Sequence, residues 1–278
     1  MSTEADAMPP PTLSHDAPPP DMPDMPAARG RTAAAAVCLV LGLGLIAGAV
    51  AGSWLAGGPR ERSAAEATYA RGATLWQEIP VAQLFPSTVR DDAAGPGGAP
   101  REWVRVGVAP AADCTEAFDP LLATALAPVG CKRLLRATYT DVTSSSVTTV
   151  GLLVTEADTA GMRALRKRFA DERLDERPDL MPRPYAPQGT VADRFGLAQR
   201  VSWRVNVLTD VPAVVYAVTG FADGRTGVPA QPAAQAVAPG ATTVAGQAGL
   251  GHEATALAEE VERVFREAAR ERRNGAPR

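Results

Sequence analysis

Histidine, lysine and cysteine are scarce in this sequence, and each shortage removes a class of function. Only two histidines, His15 and His252, occur in 278 residues. A Ser-His-Asp or Cys-His site would have to be built on one of them. His15 lies in a proline-rich stretch with no cluster of metal-ligating side chains around it. His252 falls where the last predicted helix begins, a place more often held by a helix-start side chain than by a general base. The three cysteines, Cys38, Cys114 and Cys131, give no recognisable zinc-ligand spacing. Lys132 and Lys167 are the only lysines, and the formal net charge is −3 with no basic face or stripe. That balance argues against electrostatic binding of nucleic acid. No phosphate loop is present, and no cofactor or metal is expected. A paired-carboxylate hydrolase stays open, because acidic residues are abundant and no pair is singled out.

Charge is missing altogether between Arg31 and Arg60. The run Ala33 to Gly58 would make a helix of roughly 39 Å at about 1.5 Å per residue, against about 30 Å of hydrocarbon, and reads as a membrane span. Ala49-Val50-Ala51 offers an A-x-A cleavage pattern, but a leader of about thirty residues and so long an apolar run favour an uncleaved anchor over a signal peptide. Gly42-Leu43-Gly44-Leu45-Ile46-Ala47 fits G-x-G-x-x-A without the preceding strand that a dinucleotide loop requires. Gly44, Gly48 and Gly52 recur every four residues, which places them on one helix face. Two readings of that stripe stay open: a homodimer through the span, or the general frequency of glycine in membrane helices. Cys38 reads as a small apolar filler.

The expected organisation is then a disordered, proline-rich cytoplasmic tail (1–31), a transmembrane helix (32–58), a juxtamembrane stalk and loop (59–100) and one extracytoplasmic domain (101–278). Arginines flank both ends of the span, so positive-inside counting does not orient it. The even pair Cys114 and Cys131 suits an oxidising compartment and places the domain outside, joined by a Cys114–Cys131 disulfide. That bond needs Cα atoms about 4.4 to 6.8 Å apart. It is compatible with the intervening helix only if the helix is short and starts at Pro120.

Within the domain, Val104, Val106 and Val108 alternate in a first strand, and Asp119 with Pro120 opens a helix. Strands 132–142 and 147–155 form a hairpin around Thr143-Ser144-Ser145-Ser146. Thr155 is read as the cap of the next helix, with Met162, Leu165 and Phe169 on its apolar face and Arg163, Arg166, Lys167 and Arg168 on the other. Val201, Trp203, Val205 and Val207 alternate with polar residues, predicting a strand with one wet face, and Val214, Tyr216 and Val218 return the chain. Ala222 to Gly251 is Ala-, Gly- and Pro-rich and is expected as a flexible loop. Ala254, Leu257, Ala258, Val261, Val264, Phe265 and Ala268 form the stripe of a final amphipathic helix. The order β-α-β-β-α-β predicts an α+β fold of ferredoxin-like type, an antiparallel sheet with helices on one face plus an extra strand and a C-terminal helix.

The runs Ile79-Pro80-Val81-Ala82-Gln83-Leu84-Phe85-Pro86, Gly130-Cys131-Lys132-Arg133-Leu134-Leu135-Arg136-Ala137-Thr138-Tyr139 and Gly220-Phe221-Ala222-Asp223-Gly224-Arg225 resemble those of single-pass envelope proteins of actinobacteria. The resemblance implies location and little about activity. With no catalytic constellation in sight, the leading expectation is a membrane-anchored, non-catalytic outer domain that binds a partner protein or an envelope component. The alternative is an envelope hydrolase using His252 or a carboxylate pair.

Overall fold

Ser63 opens the first helix because its hydroxyl accepts from the Glu66 N–H while the Glu66 carboxylate accepts from the Ser63 N–H, a reciprocal cap. This is the first residue the structure describes: a computed structural model covering residues 63–111, 114 and 118–271. The predicted tail, span and glycine stripe Gly44, Gly48 and Gly52 lie outside the described residues. No helix among the described residues is long and apolar enough to cross a membrane.

The elements are α1 (Ala64–Gly72), α2 (Val81–Leu84), β1 (Thr88–Asp91), β2 (Arg101–Val108), α3 (Pro120–Leu126), β3 (Arg133–Asp141), β4 (Ser146–Val154), α4 (Thr159–Glu172), β5 (Ser202–Val207), β6 (Ala213–Phe221), β7 (Gln231–Pro232), α5 (Ala233–Ala236), α6 (Val244–Gln247) and α7 (Leu250–Arg270). The seven strands form one sheet in the order β1-β2-β3-β4-β6-β5-β7. Every pairing is antiparallel except the short parallel contact of β7 with β5, so the α+β class holds with a mixed sheet.

The ferredoxin-like topology does not hold. That arrangement carries the chain from its first strand through a crossover helix to a parallel strand, yet β2 and β3 pair directly and antiparallel. The cause is length. A seven-residue α3 rises only about 10 Å, against about 26 Å for the eight-residue β2, and cannot carry the chain back along the strand. The chain therefore leaves and re-enters the sheet at the same end, and the Cys114–Cys131 disulfide closes that excursion with Cα atoms 6.0 Å apart. The second half does make a split crossover. The longer α4 links β4 to β5, both antiparallel to the β6 that lies between them.

Helices cover both faces rather than one. Leu122 and Leu126 of α3 and Met162, Leu165 and Phe169 of α4 pack with Leu134, Leu153, Trp203, Val205, Val207, Val214 and Tyr216. On the opposite face, the predicted stripe of α7, all of it buried, packs with Val150, Leu152, Val154, Val215 and Ala217. The wet side of β5 is thus roofed by α7: Arg204 pairs with Glu259 at 3.1 Å, and the Asn206 amide donates to both Glu262 oxygens at 2.8 Å.

Two local readings change, the cap of α4 and the stretch 222–251, while the apolar residues of the stalk segment take the core-packing one of their two expected places. Asp158, not Thr155, caps α4, accepting from the Gly161 N–H, while the buried Thr155 hydroxyl meets the Met162 sulfur. The stalk segment contributes Leu75, Ile79, Leu84, Phe85 and Val89 to the α7-side core. The stretch Ala222 to Gly251, expected as a loop, contains β7, α5 and α6 and buries Ala233, Ala236, Ala245 and Leu250. It holds together by close approach instead of large anchors: a Cβ added to Gly251 would lie 2.5 Å from the Ala236 Cβ.

Candidate functional site

Of the side chains singled out by sequence that lie among the described residues, Cys114 and Cys131 are brought together. His252 sits half-buried in the first turn of α7, as a helix-start position predicts. The basic face of α4 is largely a solvated helix surface, with Lys167 paired to Asp171 and Arg168 to Glu172 at i,i+4 spacing. Among the described residues no group of three or more His, Cys, Asp or Glu side chains gathers as metal ligands would.

A constellation that sequence reading missed lies where the β3–β4 hairpin meets α7. Asp141, at the end of β3, accepts from the backbone N–H groups of Thr143, Ser145 and Ser146 and from the hydroxyls of the same three residues. Burial works to raise its pKa, but these donors outweigh it and hold the carboxyl below the usual range. Glu253, in the first turn of α7, is 2% exposed and lies 2.6 Å from the Ser146 hydroxyl. Burial, with the Asp141 charge adding to it, pushes Glu253 up to about 7 against the pull of Ser146 and Arg101.

Ser146 has one hydroxyl hydrogen and two carboxylate neighbours, Glu253 Oε2 at 2.6 Å and Asp141 Oδ1 at 3.2 Å. Both contacts are satisfied when Glu253 is protonated and donates to Ser146, which donates to Asp141. Two carboxyls pushed in opposite directions are the pattern of an acid/base pair. Here they are sealed at 3% and 2% exposure, and the Asp141 oxygens are spent on the hairpin. The arrangement locks α7 to the hairpin and offers no substrate access.

A second feature is an edge of the sheet that lacks a strand partner over part of its length, with Arg204 and Asn206 partly exposed and Val205 and Val207 buried. β5 pairs with β6 along Ser202–Val207, whereas β7 covers only Ser202 and Trp203 before the chain turns into α5. From Arg204 to Val207 that side of β5 faces no strand among the described residues. The Leu208 N–H bonds the Ala213 carbonyl of β6. Strand alternation then turns the N–H groups of Asn206 and Arg204 toward β6 and those of Val205 and Val207 toward the open side. A cleft of about 320 Å³ runs beside this edge, lined by Asp175, Glu176, Trp203, Arg204, Val205, Asn206, Pro232, Ala234 and Gln235. The Trp203 indole N–H fixes one wall by donating to the Asp175 carbonyl at 2.9 Å.

The opposite edge of the sheet is guarded. β1 is four residues long, three of them exposed, and Arg90 forks onto Glu102 of β2. Short, charged edges of this kind discourage strand pairing. On β5 Arg204 and Asn206 pair with Glu259 and Glu262 of α7, Val205 and Val207 are buried, and Gln235 donates to Glu176 at 3.2 Å beside the cleft.

Comparison with family models, with curated proteins and with solved structures returns no match.

Proposed function

We propose that the chain is a membrane-tethered, non-catalytic binding module whose outer domain engages a partner protein or envelope component. The observation that carries this reading is the cleft beside β5, where Arg204–Val207 has no outer strand partner among the described residues, set against acid/base-type groups that are buried under α7. The uncharged run Ala33 to Gly58 supports the tether, and the Cys114–Cys131 bond suits an oxidising compartment outside the membrane. The tail is then cytoplasmic, and Gly44, Gly48 and Gly52 offer a face for a homodimer. The resemblance to actinobacterial envelope proteins agrees with that location. A hydrolase using the Asp141–Glu253 pair would need a route to two carboxyls that are almost wholly buried, and one using His252 would need partners that the helix start does not supply.

Photo-crosslinking in intact cells tests the reading. The full chain would carry a photoreactive amino acid at Ala234, in the cleft, or at the exposed hairpin residue Val142. A discrete adduct in the membrane fraction from position 234 and none from 142 is the expected result. Recovery of the chain in the soluble cytosol, or of unadducted chain from both positions, would contradict it.

A further inference from the structure

Resting on the tether proposed above, we infer that the arginine-lined cleft where α1 meets α4 and the end of α7 seats the phosphate head groups of anionic phospholipids. The cleft holds about 720 Å³, and its lining includes Ala64 and Ala65 of α1, Thr159 and Arg163 of α4, Asp210, and Arg270 of α7. Asp210 and Arg270 also line an adjoining cleft of about 660 Å³, which brings in Arg166 of α4 and Arg266 of α7.

Positive charge on this surface is not fully spent. Asp210 is shared by Arg266 at 3.1 Å and Arg270 at 3.4 Å. Glu259, Glu262 and Glu267 of the adjoining cleft are paired with Arg204, Arg266 and Arg263, and Glu66 of the first cleft caps α1 at Ser63. Arg163 and Arg166, nearly one turn apart on α4 and both exposed, have no salt-bridge partner among the described residues, unlike Lys167 and Arg168 on the same helix. A guanidinium fork matches the paired oxygens of a phosphate.

The covalent chain limits how far this surface can stand from the bilayer. Gly58 closes the uncharged run five residues before Ser63, and five residues reach at most about 18 Å. Ala64 and Ala65, which open α1, are themselves walls of the cleft. That clearance is less than the roughly 30 Å diameter of a small domain. Head groups fit the gap, and a folded acidic partner does not.

The test uses the full chain with a fluorescent amino acid at the exposed Ala160 of α4, reconstituted into nanodiscs of phosphatidylcholine with or without phosphatidylglycerol. Energy transfer from position 160 to an acceptor lipid is expected to rise about twofold with phosphatidylglycerol and to fall back at about 0.5 M salt. Arg163→Gln with Arg166→Gln should abolish the rise and keep the melting temperature of the parent. Lys167→Gln with Arg168→Gln removes the same charge from the same helix and should keep the rise.

Equal transfer in both membranes, a rise that survives Arg163→Gln with Arg166→Gln, or its equal loss in the Lys167→Gln and Arg168→Gln control would overturn the inference. Retention of soluble glycerol phosphate without the rise would assign the cleft to a free phosphate ester instead. Failure of the chain to enter nanodiscs would remove the tether itself, whereas insertion without a rise removes the lipid contact alone.

Discussion

Glu253 shows how one buried group can set the pH response of the fold. Its folded pKa, about 7, lies above its ordinary value of 4.5. The native state therefore binds this proton more tightly than the unfolded chain. Stability falls as pH rises from about 4.5 through about 7 and then levels off, by roughly 3 kcal/mol at most. Asp141 works in the opposite sense: its folded pKa is depressed, so its contribution is present above its ordinary value of 3.8 and fades as pH falls through the folded value. Glu253→Gln keeps a neutral side chain beside Ser146, and its melting temperature is expected to change far less than that of the parent between pH 4.5 and 7.5. An unchanged pH slope would show that Glu253 is not the titrating group. Gly151 carries a second prediction. It sits opposite Tyr216 in the β4–β6 ladder, and a Cβ there would lie 2.2 Å from the Tyr216 Cζ. Gly151→Ala is expected to cost about 1–3 kcal/mol in chemical denaturation through overpacking. None of this was legible in the sequence. Asp141 and Glu253 are 112 positions apart and look like any other acidic residues, and only the ladder shows which ring crosses Gly151.

At the scale of elements, signals carried by periodicity survived and signals carried by bulk composition did not. The α7 stripe, the β3–β4 hairpin and the alternation in β5 depend on apolar side chains at fixed spacing, and each became the element it predicted. The Ala222 to Gly251 stretch gives no such signal because small side chains carry no periodic pattern, although they allow α5, α6 and α7 to approach closely. Helix order suggested the wrong topology because the decisive quantity was the length of α3. The disulfide that closes the α3 excursion spans 17 residues. Cys114→Ser with Cys131→Ser is expected to lower stability by about 3 kcal/mol. Equilibrium urea unfolding of the parent with and without reductant should show the same loss, and no difference in midpoint would indicate that the bond does not constrain the unfolded chain.

Among the described residues, helices cover both faces of the sheet, the charged β1 forms one edge, and at the other edge Arg204–Val207 of β5 has a strand partner on one side alone. The sequence identified β5 as a strand but could not place it next to the sheet edge, because strand order depends on pairings between distant segments such as β5 and β7. The account rests on that edge having no outer strand partner. The most direct test is residue-resolved amide exchange on the unliganded full chain. Val205 and Val207, whose N–H groups face no strand among the described residues, should exchange measurably faster than Arg204 and Asn206, which are turned toward β6. Equal, strong protection at all four positions would mean that the edge is already covered, and the proposed binding surface would not exist.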